Sequence, residues 1–159
     1  MFEIGTFIRM LYEKQLYGKS AADEMAYEEP EQESQEKTFW EITENMENME
    51  SICSLGRNQG WLEEQDTVDL TRQLNRGSCA RILHMYRVKV LGIKDVEDIT
   101  PAYELRDIFD CRICTNHIAQ IVLSNIMEPV TLGGFRIFDV YGEVSEEEAR
   151  QYISHLNQA

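Results

Sequence analysis

Three residues at a regular spacing, Cys111, Cys114 and His117, have the side chains that bind zinc. Cysteine thiolates and imidazoles are common zinc ligands, and Cys-x-x-Cys is a common turn in structural sites. The sequence has no second such pair, so His84 or Cys53 would have to complete the site from elsewhere in the fold. On one helix these positions drift by about 60° per step, which suits three ligands of one ion poorly. We therefore expect no metal ion and no other cofactor.

The same cysteine pair has the spacing of a thiol–disulfide redox motif. Such a motif normally follows a strand in a βαβ unit, and the neighbouring sequence predicts neither. A chain of 159 residues, 43% of them hydrophobic, needs no disulfide to fold. The sequence therefore favours reduced, mostly buried thiols at all four cysteines. A zinc-binding or redox protein that uses Cys111, Cys114 and His117 stays open as an alternative function.

Other signatures of catalysis are missing from the sequence. Gly133-Gly134 is not followed by the Gly-Lys-Ser/Thr of a phosphate-binding loop. No serine stands in a nucleophile elbow, and there is no His-Glu-x-x-His motif. With 29 acidic residues in the chain, pairs of carboxylates carry little information. We expect a non-enzymatic protein.

The charge of the chain is strongly acidic and unevenly distributed. Fifteen basic residues against 29 acidic ones give a net charge of −14, and residues 22–50 contribute −10 of it, from eleven acids and one lysine. This balance disfavours binding to nucleic acids or to anionic membranes. No run reaches the roughly 18–20 apolar residues that a membrane span requires. Residues 28–36 have no apolar side chain, so we expect a mobile, solvated linker there.

The N-terminus lacks the basic start and apolar run of a secretory signal, because Glu3, Arg9, Glu13 and Lys14 interrupt it. This pattern predicts a cytoplasmic protein, or a fragment or mature form of a secreted one. The length fits one domain or a short array of repeats. We predict an N-terminal helix in residues 1–21, an acidic linker in 22–37, and two further units in 38–92 and 93–159.

Apolar residues recur at helical spacing through most of the chain, so the fold class is all-α, with about six helices and minor or no strand. Capping patterns place the helix starts at Thr38, Asn75, Thr100-Pro101 and Ser145. The helix after Thr100 is expected to bury Leu105, Ile108 and Phe109. A further helix carries the stripe Ile118, Ile121, Val122 and Ile126 and ends near Pro129; residues 135–138 are the one short segment with extended character.

An internal repeat is the main clue to architecture. Residues 5–11, 77–83 and 146–152 align on Arg9, Arg81 and Arg150, at separations of 72 and 69 residues. Each segment opens a helix, and the second and third follow another helix and a loop. This pattern predicts a helical repeat array whose units bury their apolar faces against one another.

The repeated unit resembles a degenerate S-layer homology domain. Residues 74–78 stand where that family has its Thr-Arg-Ala-Glu-like motif, with Arg76 at the arginine; residues 116–119 are similar to the opening of the other helix, and residues 58–61 to the step into the loop. The resemblance covers residues 39–91 and 99–157 best, with 2–17 as a partial unit. At the matching positions the first copy has Glu3 and the third has acids, so only one motif arginine is present.

This resemblance implies a cell-envelope module that attaches to an anionic cell-wall polysaccharide or assembles with another protein. Arg76 would bind the ligand, because a planar guanidinium pairs with both oxygens of a carboxylate or pyruvyl group. Trp61 is the second candidate, since its ring is able to stack on a sugar or anchor a partner, and the alternative that the residue type favours is burial in the core. Two interpretations of Arg76 stay open, an anion site and an ion pair with an acidic side chain. The rival function is an intracellular all-α interaction or regulatory domain.

Overall fold

The computed structural model describes residues 1–24 and 49–157, and the side chains of residues 17–24 are outside this description. The predicted linker core at residues 28–36 and the helix start at Thr38 lie outside the described residues. The first helix continues to Glu24, beyond the boundary predicted at residue 21.

The described part of the chain is mostly helical, as predicted. It contains five α-helices: α1 (Ile4–Glu24), α2 (Met49–Gln59), α3 (Arg76–Lys89), α4 (Thr115–Leu123) and α5 (Glu146–Ser154). Three short 3-10 helices connect them: Glu64–Thr67, Thr100–Glu104 and Arg112–Cys114. The one sheet described is an antiparallel hairpin of β1 (Val130–Leu132) and β2 (Phe135–Ile137).

Helix α3 lies at the centre of the molecule, because ten of its fourteen residues are buried. It packs most extensively on α4, while α1 packs on α2 and contacts α5. The predicted stripes form the core, including Ile4, Ile8 and Leu11 of α1 and Cys79 and Leu83 of α3. The burial of these faces against neighbouring helices is what holds such short helices in place.

Two helix starts were predicted from capping residues and are confirmed. The Asn75 side chain accepts a hydrogen bond from the Ser78 amide at 2.8 Å, at the start of α3. Ser145 and Glu148 exchange the two hydrogen bonds of a capping box at the start of α5. Both signals are local, since the cap and its partner are three residues apart.

The helix predicted after Thr100-Pro101 was wrong. A 3-10 turn ends at Leu105, whose backbone is extended (φ −72°, ψ 123°). The chain then turns toward the hairpin, where the Arg106 amide donates to the Arg136 carbonyl at 3.0 Å. The Asp107 carboxylate accepts from the amides of Phe138 and Asp139, at 2.7 Å each. These hydrogen bonds replace a helical ladder. Leu105 and Ile108 are buried as predicted, but Phe109 is 57% exposed.

The predicted end of the fourth helix near Pro129 was also wrong. Helix α4 ends at Leu123, and Asn125 adopts a left-handed conformation (φ +60°). The Ile126 amide then donates back to the Ile121 carbonyl at 3.0 Å, which closes the helix in a Schellman-type turn. Ile126 is still buried, so the apolar spacing continues past the point where the helix stops.

Candidate functional site

The chain segments that precede α1, α3 and α5 lie side by side through matching backbone hydrogen bonds. The Ile4 and Gly5 amides donate to the carbonyls of Arg72 and Leu70, both at 2.9 Å. The segments before α3 and α5 pair in the same way: the Arg76 and Gly77 amides donate to the carbonyls of Gly142 and Val140, at 2.9 and 2.8 Å. The return bonds match as well: Leu74 donates to Phe2, and Val144 donates to Leu74, each at 3.0 Å. This pairing fixes the position of Arg76 at the first turn of α3.

Both pairings require a glycine at the second helical position. A Cβ atom on Gly5 would lie 2.9 Å from the Leu70 carbonyl oxygen. A Cβ atom on Gly77 would lie 3.1 Å from the Val140 carbonyl oxygen and 2.8 Å from its Cγ1. The preceding segment therefore lies directly on the helix backbone at these two glycines.

The Arg76 guanidinium joins three parts of the fold. Nε donates to the Phe138 carbonyl at 2.7 Å, Nη2 donates to the Glu128 carbonyl at 2.7 Å, and Nη1 donates to the Tyr152 hydroxyl at 3.1 Å. The guanidinium also lies 4.7 Å from the centre of the Phe138 ring. Arg76 is 5% exposed. Sequence reasoning identified this residue, and it missed all three acceptors because they lie 52 to 76 residues away along the chain.

A carboxylate reaches Arg76 through the Tyr152 hydroxyl. Tyr152 donates to Glu148 at 3.2 Å while it accepts from Arg76. Burial raises the pKa of Tyr152 to about 12, so this hydroxyl stays protonated. Partial burial raises the pKa of Glu148, but hydrogen bonds from Ser145 and Tyr152 and the Arg76 charge outweigh it and lower that pKa. Of the two interpretations left open for Arg76, a direct ion pair is not seen among the described residues, and the Tyr152 hydroxyl connects the guanidinium to the Glu148 carboxylate.

Arg76 forms part of the wall of an open groove between α5 and the segment after α4, which we name the Arg76 groove. Its volume is about 460 Å³. Amide, carboxylate, phenol and imidazole groups line it together with a few apolar side chains: Arg76, Asn125, Ile126, Glu128, Pro129, Val130, Glu148, Gln151, Tyr152 and His155.

Trp61 lies apart from this groove. Its side chain is fully buried, its ring meets Tyr86 edge-on at 5.4 Å, and Nε1 donates to Gln59 at 2.9 Å. The structure therefore places Trp61 in the core, without a surface on which a sugar would stack.

Cys111 and Cys114 form a disulfide, which corrects the expectation of four reduced thiols. Cys53 and Cys79 are free and buried, as predicted. The pairing occupies both thiolates that a zinc site would use. Across residues 1–24 and 49–157, no group of three or more His, Cys, Asp or Glu side chains is arranged to hold a metal ion.

His117, the third residue of the candidate zinc motif, instead belongs to a chain of hydrogen-bonded side chains. Its Nδ1 lies 2.7 Å from Nδ1 of His84, and His84 Nε2 lies 2.7 Å from the Asp95 carboxylate. When both rings are neutral, His84 donates to Asp95 and accepts from His117. Burial and the charges of His84 and Arg81 lower the pKa of His117 to about 4. His117 is therefore neutral at neutral pH.

A buried ion pair beside the disulfide was not found from the sequence. Arg81 pairs through both terminal nitrogens with Asp66, which is fully buried, and Arg72 lies 3.9 Å from the same carboxylate. Sequence reasoning used Arg81 only to align the repeats. Asp66 follows two other acids, Glu63 and Glu64, and nothing in that local pattern distinguishes it.

No helix in the described ranges is long and apolar enough to span a membrane. No protein-family model, no curated protein and no solved structure matches the chain.

Proposed function

We propose that the chain is a non-enzymatic, S-layer-homology-like binding module built as a helical repeat array, and that the Arg76 groove binds the acidic group of a cell-envelope glycan. The observation that carries this proposal is the recurring backbone pairing, which holds Arg76 of the second unit against a groove lined by residues of the third unit. The proposal assigns binding to Arg76 and no longer to Trp61.

The paired segments support the array because they define equivalent positions in three units. Phe2, Leu74 and Val144 occupy one such position, and all three are buried. Two positions further along, the equivalent residues are Ile4, Arg76 and Glu146. This register replaces Glu3 by Ile4 as the match of Arg76, and it moves the third unit by one residue from the sequence alignment on Arg150. Arg76 is therefore the one basic residue at a position that is apolar in the first unit and acidic in the third.

The chemistry of the groove supports a ligand with one acidic group among many hydroxyls. A guanidinium has five N–H donors, and the three hydrogen bonds to the protein leave donors on its terminal nitrogens. The Asn125 and Gln151 amides and the Glu128 and Glu148 carboxylates suit sugar hydroxyls. The two carboxylates also disfavour a dense polyanion, so we expect recognition of a single pyruvyl or carboxylate group.

The test is calorimetric titration with a pyruvylated cell-wall glycan fragment, and with the same fragment after its pyruvyl group has been removed. We expect the parent protein to bind only the pyruvylated fragment. The Gln151→Trp variant fills the groove from an exposed position and is expected to abolish binding. Arg150 is exposed, does not line the groove and points about 100° away from Gln151 around α5, so the Arg150→Trp variant is expected to bind like the parent. No binding by the parent, or equal losses in the two variants, would favour the rival interaction domain.

A further inference from the structure

The Cys111–Cys114 disulfide lies at the junction of two helical segments. Cys111 precedes the 3-10 turn Arg112–Cys114, and Cys114 is the residue before the first turn of α4. The Cα atoms are 5.1 Å apart, and the Cys114 amide donates to the Cys111 carbonyl at 3.0 Å. The sulfur atoms are therefore held next to the positive end of the α4 dipole.

Both cysteines line a separate cavity of about 220 Å³, which we name the disulfide pocket. Both are only partly buried, in contrast to Cys53 and Cys79. The first turn of α3 also reaches this pocket through Gly77 and Ser78. Two helix N-termini and an accessible disulfide thus meet in one cavity.

Two guanidinium groups reach the wall of the pocket, those of Arg72 and Arg81. Arg81 is ion-paired with the buried Asp66 and lies 3.7 Å from Glu63, whereas among the described residues Arg72 has only a 3.9 Å contact with Asp66, so Arg72 is the less neutralised of the two. Arg112 lies within the ring that the disulfide closes, between the two cysteines. Nearby guanidinium groups and helix N-termini stabilise a thiolate, and a stable thiolate is a good leaving group in disulfide exchange.

We propose that this disulfide is a thiol–disulfide exchange site that accepts two electrons from a dithiol in a cysteine-containing peptide segment. One thiolate of the dithiol bonds to a cysteine Sγ as the Cys111–Cys114 bond breaks, and the other cysteine leaves as a thiolate. The second thiolate of the substrate then displaces the first cysteine. The substrate becomes a disulfide, and Cys111 and Cys114 become a dithiol after taking up two protons. The exchange is stoichiometric.

The rim of the pocket supports a peptide as the substrate. Ile113 and Tyr141 line the pocket while being 76% and 71% exposed. Apolar side chains beside a disulfide provide a contact surface for the residues that flank an incoming cysteine. The free thiols are unsuited to the reaction, because burial raises the pKa of Cys53 and of Cys79.

The first experiment measures the rate at which dithiothreitol reduces the folded protein, with maleimide labelling and mass spectrometry to assign the cysteines. The control is a linear peptide that contains the same Cys-Arg-Ile-Cys disulfide without the pocket. We expect the protein to react at least about tenfold faster than the peptide, because the pocket stabilises the leaving thiolate. A rate equal to or below that of the peptide would identify a structural disulfide and overturn the proposal.

Two sets of variants then test the charge and the rim. We expect Arg72→Gln to slow the exchange about threefold, and Arg72→Lys and Arg150→Gln to leave it unchanged. We expect Tyr141→Ala to slow exchange with a peptide dithiol severalfold and to leave the rate with dithiothreitol unchanged. Equal slowing by both Arg72 variants, or equal slowing of both substrates by Tyr141→Ala, would contradict the proposal. Circular dichroism of each variant checks that the fold is retained.

Discussion

Arg76 has a structural role in the fold, and we propose that it also binds an anion. Its side chain is almost fully buried, its guanidinium is bonded to two carbonyls and a hydroxyl, and the residue also forms part of the wall of the Arg76 groove. A buried arginine without a direct carboxylate partner is costly, because its charge loses hydration. The hydrogen bonds from Arg76 to Tyr152 and from Tyr152 to Glu148 offset part of this lost hydration. An anionic ligand in the groove would offset more of it.

Removal of the guanidinium should destabilise the fold. In Arg76→Met, the carbonyls of Phe138 and Glu128 lose their donors, and each unsatisfied buried group costs about 1–3 kcal/mol. We expect the free energy of unfolding to fall by about 3 kcal/mol in urea denaturation. The matched change Arg150→Met, at an exposed residue paired with Glu146, should cost less than about 0.5 kcal/mol. Equal effects of the two changes would contradict the structural role of Arg76.

His117 should make stability depend on pH. Its folded pKa of about 4 lies below the 6.5 of an ordinary histidine, so the unfolded chain takes up the proton first as the pH falls. The folded state therefore loses stability between pH 6.5 and 4, by about 1–2 kcal/mol after an allowance for partial exposure. In His117→Asn, whose amide is able to donate to His84, this loss should be absent. Parallel urea-denaturation curves against pH for parent and variant would show that His117 does not titrate in this way.

At the scale of elements, the predictions that held are those whose cause is local. The caps of α3 and α5 depend on residues three positions apart, and apolar spacing placed the buried faces of α1 and α3. The failures depend on distant partners or on one backbone conformation. Asp107 accepts hydrogen bonds from the amides just after β2 instead of lying in a helix, and a left-handed Asn125 ends α4 before its apolar pattern ends. The spacing of apolar residues predicts neither the Asp107 hydrogen bonds nor the position at which α4 ends.

The glycines under the paired segments should be intolerant of alanine. Gly77→Ala and Gly5→Ala place a Cβ against a backbone carbonyl, and such overpacking costs about 1–3 kcal/mol. The corresponding position of the third unit is Glu147, which is exposed, so Glu147→Ala should change the unfolding free energy by less than about 1 kcal/mol. Thermal and urea denaturation of the three variants compares them directly. A stabilising effect at either glycine would show that the segments do not press on the helix backbone.

At the scale of the whole molecule, the negative net charge restricts which anionic ligands the protein is able to bind. A net charge of −14 slows the approach of a polyanion, and the described part of the groove adds two carboxylates of its own. The protein is still able to recognise one acidic group close to Arg76, because hydrogen bonds act at short range and do not depend on the net charge of the protein. Raising the ionic strength should therefore leave the affinity unchanged or increase it.

The most direct test of the binding proposal is an NMR titration of the parent protein with the pyruvylated glycan fragment, which follows the side-chain amide signals of asparagine and glutamine. The signals of Asn125 and Gln151 should shift together and saturate, since both residues line the Arg76 groove. The signals of Gln59 and Gln120, which bond to Trp61 and to the backbone of Val96, should stay in place. No shifts at all, or shifts at Gln59 and Gln120 without Asn125 and Gln151, would contradict the account.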